Sequence, residues 1–133
     1  MNWNQKIIEI GLFCNCPTDS GRNIAITICN IDSDKIELYA ISGKKSRVNN
    51  ECKAIDSPTS PIFKLLDPPP GRDRKYDSEY KLLEEIASRY TQNQKLTGTI
   101  ELFTQREMCI SCEYVLGQFQ QMFPNIKVTV TTN

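Results

Sequence analysis

Two cysteines three residues apart, Cys109 and Cys112, have the spacing in this chain that most strongly indicates chemistry. Residues at this spacing share one face of a helix, and the N–H groups of a first helical turn stabilise thiolates. Such a pair can bind zinc, take part in thiol–disulfide exchange, or simply pack as buried side chains. The spacing favours metal binding and leaves the other two interpretations open.

Asp77 and Glu79 form the second candidate pair. Aspartate followed by acidic residues is an ordinary helix start, because it caps the first N–H groups and complements the helix dipole. The functional interpretation makes Asp77 a metal ligand and Glu79 an acid/base. The chain contains no histidine, the commonest general base and metal ligand, so its chemistry must use carboxylates, thiolates and hydroxyls.

The elements that must position these residues follow from the apolar pattern, which predicts the order α-β-β-α-β-α-β. The predicted helices cover residues 2–13, 77–90 and 109–123, and the predicted strands cover residues 23–31, 35–42, 97–104 and 125–132. Residues 43–76 form a long, proline-rich loop of a kind that is usually functional or disordered. We expect one domain over residues 1–133, with an α/β fold: a mixed sheet of four or slightly more strands with helices on both faces.

Both candidate motifs lie at predicted helix starts, with one strand between them. In a right-handed parallel β-α-β arrangement, strand ends and helix starts meet at one edge of the sheet. Three potential ligands, Asp77, Cys109 and Cys112, would converge there, together with the carboxylate of Glu79. This arrangement suits a catalytic zinc with three protein ligands and an open fourth position. A closed structural site would need a fourth ligand, for which the other cysteines are candidates: Cys14, Cys16, Cys29 and Cys52.

The two motifs resemble those of the zinc-dependent nucleobase deaminases, which carry H-x-E at one helix start and P-C-x-x-C at the next. The resemblance spans about residues 23–132 and is strongest to the deaminase domains of bacterial polymorphic toxins. It rests on DSEYKLLEEIA and on TGTIELFTQREMCISCEYVLGQFQQMFPNIKVTV. In this chain Asp77 stands where most of these enzymes have histidine, and Met108 replaces the usual proline.

The resemblance implies a cytidine-deaminase-like fold and a zinc ion held by Asp77, Cys109 and Cys112, with Glu79 moving protons. The implied reaction is hydrolytic deamination of cytosine to uracil in nucleic acid, with DNA favoured over RNA and single-stranded access expected. It also implies an immunity protein as a partner and delivery to a target-cell cytoplasm as part of a secreted toxin. Two alternatives stay open: deamination of free nucleosides or nucleotides, and a non-catalytic module with a structural zinc.

Composition adds little about partners, because 16 basic and 16 acidic side chains balance. We expect no membrane span and no signal peptide, since no long apolar run is present. The long loop, however, holds eight basic and four acidic residues. We predict that substrate contacts come from the second strand's end, this loop, residues 104–107 and the C-x-x-C turn, with these candidates: Ser42, Gly43, Lys44, Phe63, Arg72, Arg74, Lys75, Thr104 and Ser111.

These substrate candidates have plainer interpretations. Lys44 and its neighbours fit a solvated turn, and the basic residues before Asp77 fit a solvated loop. Phe63 fits an aromatic anchor of the loop on the core as well as it fits a platform for a base. The phosphate interpretation concerns Arg72, Arg74 and Lys75, which directly precede the predicted ligand.

Overall fold

The computed structural model of the chain describes residues 2–17, 20–44, 51–67 and 73–132. Its helices are α1 (Trp3–Phe13), α2 (Ser78–Tyr90) and α3 (Ile110–Met122). Its strands are β1 (Ile24–Ile31), β2 (Asp34–Ile41), β3 (Gly98–Thr104) and β4 (Ile126–Thr132). The predicted α/β class and element order are confirmed. In the part of the chain that is described, no helix has the length and hydrophobicity needed to cross a membrane.

The sheet has the order β2-β1-β3-β4. β1 pairs antiparallel with β2 through a tight turn at Asp32 and Ser33, and it also pairs antiparallel with β3. β3 and β4 are parallel, with α3 between them in sequence, as predicted. This topology brings the start of β1 and the ends of β2 and β3 to one edge of the sheet.

The core has two layers, one on each face of the sheet. α2 and α3 cover one face, where Ala25 and Cys29 of β1 are buried, while α1 covers the face that carries Ile24 and Ile26. The period of two along β1 thus sorts its side chains between the layers, as the sequence predicted. On the α1 side, Trp3 stacks on Phe103 with ring centroids 4.9 Å apart.

Residues 51–67 of the long loop are fixed to the core by Glu84 and Phe63. The buried Glu84 carboxylate accepts hydrogen bonds from the backbone N–H groups of Ile62 and Phe63 at 2.9 and 2.8 Å. The Phe63 ring is 6 % exposed and packs edge-on against Phe119. Phe63 therefore anchors the loop and leaves no free ring face for a base, which corrects its assignment to the substrate site.

Cys14 and Cys52 form a disulfide that joins the end of α1 to the long loop. Neither is available as a fourth zinc ligand in this state. Cys16 and Cys29 are free thiols buried in the two different core layers. The disulfide was not expected from the sequence, because the chain is neither short nor visibly exported.

Candidate metal and acid/base site

The side chain of Asp77 is directed away from the helix that it precedes. A short 3₁₀ turn, Arg74–Tyr76, leads into Asp77, which is the N-cap residue of α2 but makes no side-chain capping hydrogen bond. Cys109, the N-cap residue of α3, makes none either. Instead, Asp77 Oδ2 lies 3.7 Å from Cys109 Sγ and 3.5 Å from Cys112 Sγ. The ordinary capping interpretation of Asp77 therefore does not describe this side chain.

The ligand atoms of Asp77, Cys109 and Cys112 lie within 4.8 Å of one another, and the part of the chain that is described contains no other such group of acidic or cysteine side chains. A tetrahedral zinc with Zn–S of about 2.3 Å and Zn–O of about 2.0 Å separates sulfur from oxygen by about 3.5 Å. The observed spacing of 3.5 and 3.7 Å fits that requirement. Two sulfurs and one carboxylate oxygen are also a donor set that zinc accepts.

The electrostatics of this cluster favour a cation. Burial raises the pKa of the Cys112 thiol, and the negative charges of Glu79 and Asp77 raise it further. Several acidic groups thus share one poorly solvated space, where a divalent cation would stabilise their ionised forms. Arg74 already supplies one positive charge, because its Nη1 lies 3.6 Å from Asp77 Oδ2.

Glu79 lies beside the cluster in the first turn of α2 and is 5 % exposed. Its Oε1 accepts hydrogen bonds from Ser78 Oγ at 2.6 Å and from Asn23 Nδ2 at 3.0 Å. Burial raises the pKa of Glu79, and the Ser78 hydrogen bond partly opposes this rise. Two side-chain hydrogen bonds therefore hold one oxygen of this carboxylate in place.

Asn23 joins the elements that meet at this edge of the sheet. Besides Glu79, its Nδ2 contacts Ser78 Oγ at 2.8 Å and Thr104 Oγ1 at 2.7 Å, and its Oδ1 accepts from the Arg106 N–H at 3.1 Å. Its backbone N–H donates to Ser42 Oγ at 2.8 Å. The sequence analysis missed Asn23; the available signal was a polar residue directly before a strand that is buried on both faces.

A cavity of about 180 Å³ opens onto Glu79 and the metal-ligand cluster. It is lined by the residue before β1, the residue after β2, the 3₁₀ turn and the start of α2, the segment after β3 and the N-cap of α3: Asn23, Ser42, Arg74, Asp77, Ser78, Glu79, Arg106, Glu107 and Cys109. The predicted substrate residues Ser42 and Arg74 therefore lie at the site, as do Arg106 and Glu107 from the predicted segment 104–107. Thr104 is buried behind Asn23.

The other predicted contacts that the structure describes do not line this cavity. Gly43 and Lys44 follow β2, and Gly43 has a φ of +108°, a conformation that favours glycine. Lys75 is exposed next to Arg74. Ser111 is 1 % exposed between the two cysteines, and its hydroxyl has no partner among the described residues. Arg72 lies outside the described residues.

Lys81 is a second residue that the sequence analysis missed, because a lysine inside a helix usually faces solvent. It is 1 % exposed, and its Nζ donates to the carbonyls of Ile41 at 2.7 Å and Gly43 at 2.8 Å. Burial lowers the pKa of Lys81 to about 8. Lys81 thereby ties the end of β2 to α2, next to the cavity.

Comparison with known families agrees with the chemistry of this site. No curated protein and no solved structure matches the chain. The family model of the toxin-associated deaminases, described as the BURPS668_1122 family of deaminases, matches residues 12–133. That span contains Asp77, Glu79 and both cysteines of the C-x-x-C motif. The chain therefore belongs to the Toxin-deaminase family, the BURPS668_1122 family of deaminases.

Proposed function

We propose that this deaminase depends on zinc and converts cytosine to uracil in nucleic acid, with single-stranded DNA as the favoured substrate. The observation that carries the proposal is a group of three ligand atoms, with both sulfur–oxygen distances suited to a tetrahedral zinc, directly beside a buried glutamate at one cavity. A structural zinc does not need this glutamate, whereas a hydrolytic deaminase does.

Asp77, Cys109 and Cys112 would hold the zinc, and Asp77 and Cys109 also line the cavity. When bound, zinc supplies a Lewis acid that lowers the pKa of a coordinated water molecule to near neutrality. Three protein ligands leave a fourth position for that water, which is the arrangement of catalytic rather than structural zinc sites.

Glu79 would move the protons. In the net reaction, water adds to the ring carbon, the carbon–nitrogen bond to the exocyclic amine breaks, and ammonia leaves. The Glu79 carboxylate would take the two protons of the water in turn, passing the first to the ring nitrogen and the second to the departing amine. Ser78 and Asn23 hold Oε1 and so orient the carboxylate for this transfer. A pKa raised by burial suits the role, because a proton shuttle works best near the operating pH.

A polynucleotide substrate is supported by the basic side chains around the cavity. Arg74 and Arg106 line it, and Lys44 and Lys75 lie on its Tyr76 side. Four acidic residues, Asp73, Asp77, Glu79 and Glu107, line the same two cavities, but Asp77 would hold the zinc and Glu79 would carry the protons. Cations at the mouth of a base-sized cavity are suited to phosphates on either side of an extruded base.

The test is to incubate the zinc-loaded protein with single- and double-stranded DNA and RNA and to sequence the products for base changes. We expect cytosine-to-uracil changes, most frequent in single-stranded DNA. Glu79→Gln should lower the rate by about 10²–10⁴-fold, because it removes proton transfer, while leaving the zinc content unchanged. The matched control is Glu85→Gln on the same helix, whose carboxylate pairs with Arg89 on the surface.

Each other outcome selects an alternative. Deamination of cytidine or its nucleotides without change in any polynucleotide would identify a small-molecule enzyme. Turnover that survives Glu79→Gln, or zinc-loaded protein that is inactive on every base, would indicate a structural zinc. Adenine-to-inosine changes would overturn cytosine as the target base and leave the rest of the proposal standing.

A further inference from the structure

A second cavity adjoins the first on the Tyr76 side of Asp77. Its volume is about 390 Å³, and Asp77 lines both cavities. The residues around it come from the turn after β2 and from the 3₁₀ turn before α2: Gly43, Lys44, Asp73, Lys75, Tyr76 and Asp77. Tyr76 is half-buried here, and the proposed reaction makes no use of it.

The backbone that carries Tyr76 is fixed. Its carbonyl accepts a hydrogen bond from the Gly43 N–H at 3.0 Å, and Gly43 is held in turn by the buried ammonium of Lys81 at 2.8 Å. On the other side, Ser57 Oγ donates to the carbonyl of Lys75 at 2.7 Å. A ring mounted on such a backbone can receive a flat ligand without first being ordered.

Two lysine side chains converge on this ring. Lys75 Nζ lies 5.1 Å and Lys44 Nζ lies 5.8 Å from the centroid of Tyr76. Both lysines are exposed, so the ring faces they occupy can be reached from solvent. We propose that this second cavity is a subsite for the nucleotide next to the target base, with its base stacked on Tyr76 and its phosphate held by Lys44 and Lys75. The proposal rests on the proposed action on nucleic acid, and it adds a defined neighbour contact.

The energetic order of the contacts supports this occupant. Stacking of a base on an aromatic ring is generally stronger than a cation–π contact at an exposed site, so a base displaces an ammonium group from the ring. The displaced Lys44 or Lys75 is then free to bind the adjoining phosphate. Lys75 must also leave Asp73, 3.6 Å away, but exposed ion pairs contribute little.

The first test measures kcat/KM on a single-stranded oligonucleotide with one cytosine. Tyr76→Leu keeps an apolar side chain of similar bulk and removes the stacking surface. We expect it to lower kcat/KM about 5- to 100-fold, mostly through KM, with unchanged zinc content. Tyr76→Trp should restore the wild-type value. The matched control is Tyr90→Leu, another half-buried tyrosine, at the far end of α2.

The substrate can be varied in parallel. For the wild type, kcat/KM should be lower on an oligonucleotide with an abasic site on one side of the cytosine, and Tyr76→Leu should show no further loss on it.

The lysine variants test the phosphate contact. Lys44→Gln and Lys75→Gln should each reduce the slope of log affinity against log salt by about 0.7. Lys35→Gln and Lys127→Gln, which lie at the opposite edge of the sheet, serve as controls. Binding to Glu79→Gln protein gives the same comparisons without turnover.

The outcomes separate the subsite from the proposed function. If the wild type deaminates oligonucleotides, but neither Tyr76→Leu nor either abasic neighbour changes kcat/KM or affinity, the subsite is wrong and the proposed function stands. If the wild type acts on mononucleotides and neither binds nor changes oligonucleotides, the proposed substrate falls, and the subsite falls with it. Equal losses of kcat/KM in Tyr76→Leu and Tyr90→Leu would show that the effect comes from lower stability of the fold, and they would also reject the subsite.

Discussion

Arg74 should determine how tightly this site holds zinc, because it compensates for the aspartate at the first ligand position. A His/Cys/Cys site with Zn²⁺ is neutral overall, whereas Asp77 with two thiolates carries one further negative charge. The Arg74 guanidinium lies 3.6 Å from Asp77 Oδ2 and is able to cancel that charge. Arg74 is therefore directed at a ligand, and its predicted contact with a phosphate stays a prediction.

The expected size follows from that distance. Two unit charges 3.6 Å apart interact by about 4–5 kcal/mol at an effective dielectric constant of about 20. The Arg74 side chain is 19 % exposed, so solvent screening and the loss of hydration reduce the net contribution to about 1–2 kcal/mol. Arg74→Met, which keeps the length and removes the charge, should therefore weaken zinc binding by about 5- to 30-fold.

The assay is competition for zinc against a chromophoric chelator, in a double-mutant cycle with Asp77→His. In the Asp77→His background, Arg74→Met should cost nothing or should even strengthen zinc binding, because the cation then faces a neutral ligand. Arg89→Met is the control, because it removes the same charge from the chain at the other end of α2. Equal losses in both backgrounds, or no loss in the wild type, would refute the compensating role of Arg74.

Three further predictions concern positioning and stability. Asn23→Ala should lower kcat by about 10–100-fold with little change in KM or zinc content, because Asn23 holds Glu79 rather than the substrate. Steady-state kinetics with metal analysis checks this, and a rise in KM with unchanged kcat would contradict it. The Cys14–Cys52 disulfide closes a loop of 38 residues, so reductant should lower the free energy of unfolding by about 3–4 kcal/mol in the wild type and have no effect when both cysteines are serine, as measured by denaturant titration. Glu84→Gln should lower the free energy of unfolding by about 1–3 kcal/mol and speed proteolysis within residues 51–67; unchanged cleavage would show that the carboxylate does not fix the loop.

Periodicity predicted the helices and strands well, because local burial decides them. Alternation along β1 assigned Ile24 and Ile26 to one face and Ala25 and Cys29 to the other, as the two core layers show. Each helix and strand begins and ends within one residue of its prediction. Asp77 and Cys109, predicted as first helical residues, are instead N-caps, and this one-residue shift leaves their side chains free to meet each other.

Contacts between distant residues were beyond the sequence, because no local pattern encodes them. Asn23 bonds Ser78 and Thr104, which are 55 and 81 positions away, and a lone asparagine before a strand gives no sign of either contact. The burial of Lys81 depends on the carbonyl of Ile41 at the end of β2, which lies 40 positions earlier in the chain. The pairing of Cys14 with Cys52 likewise joins residues that are 38 positions apart.

The geometry of Glu79 separates a catalytic zinc from a structural one more clearly than the ligands do. A zinc ion held by Asp77, Cys109 and Cys112 would connect the starts of α2 and α3 and stabilise the fold in either case. A purely structural site has no use for a carboxylate that is buried at 5 % exposure and held by two hydrogen bonds on one oxygen. Burial of that carboxylate opposes its ionised form, so folding retains it at a thermodynamic disadvantage. Proton transfer in the adjoining cavity explains why a buried carboxylate is kept at this position, whereas zinc binding alone does not explain it.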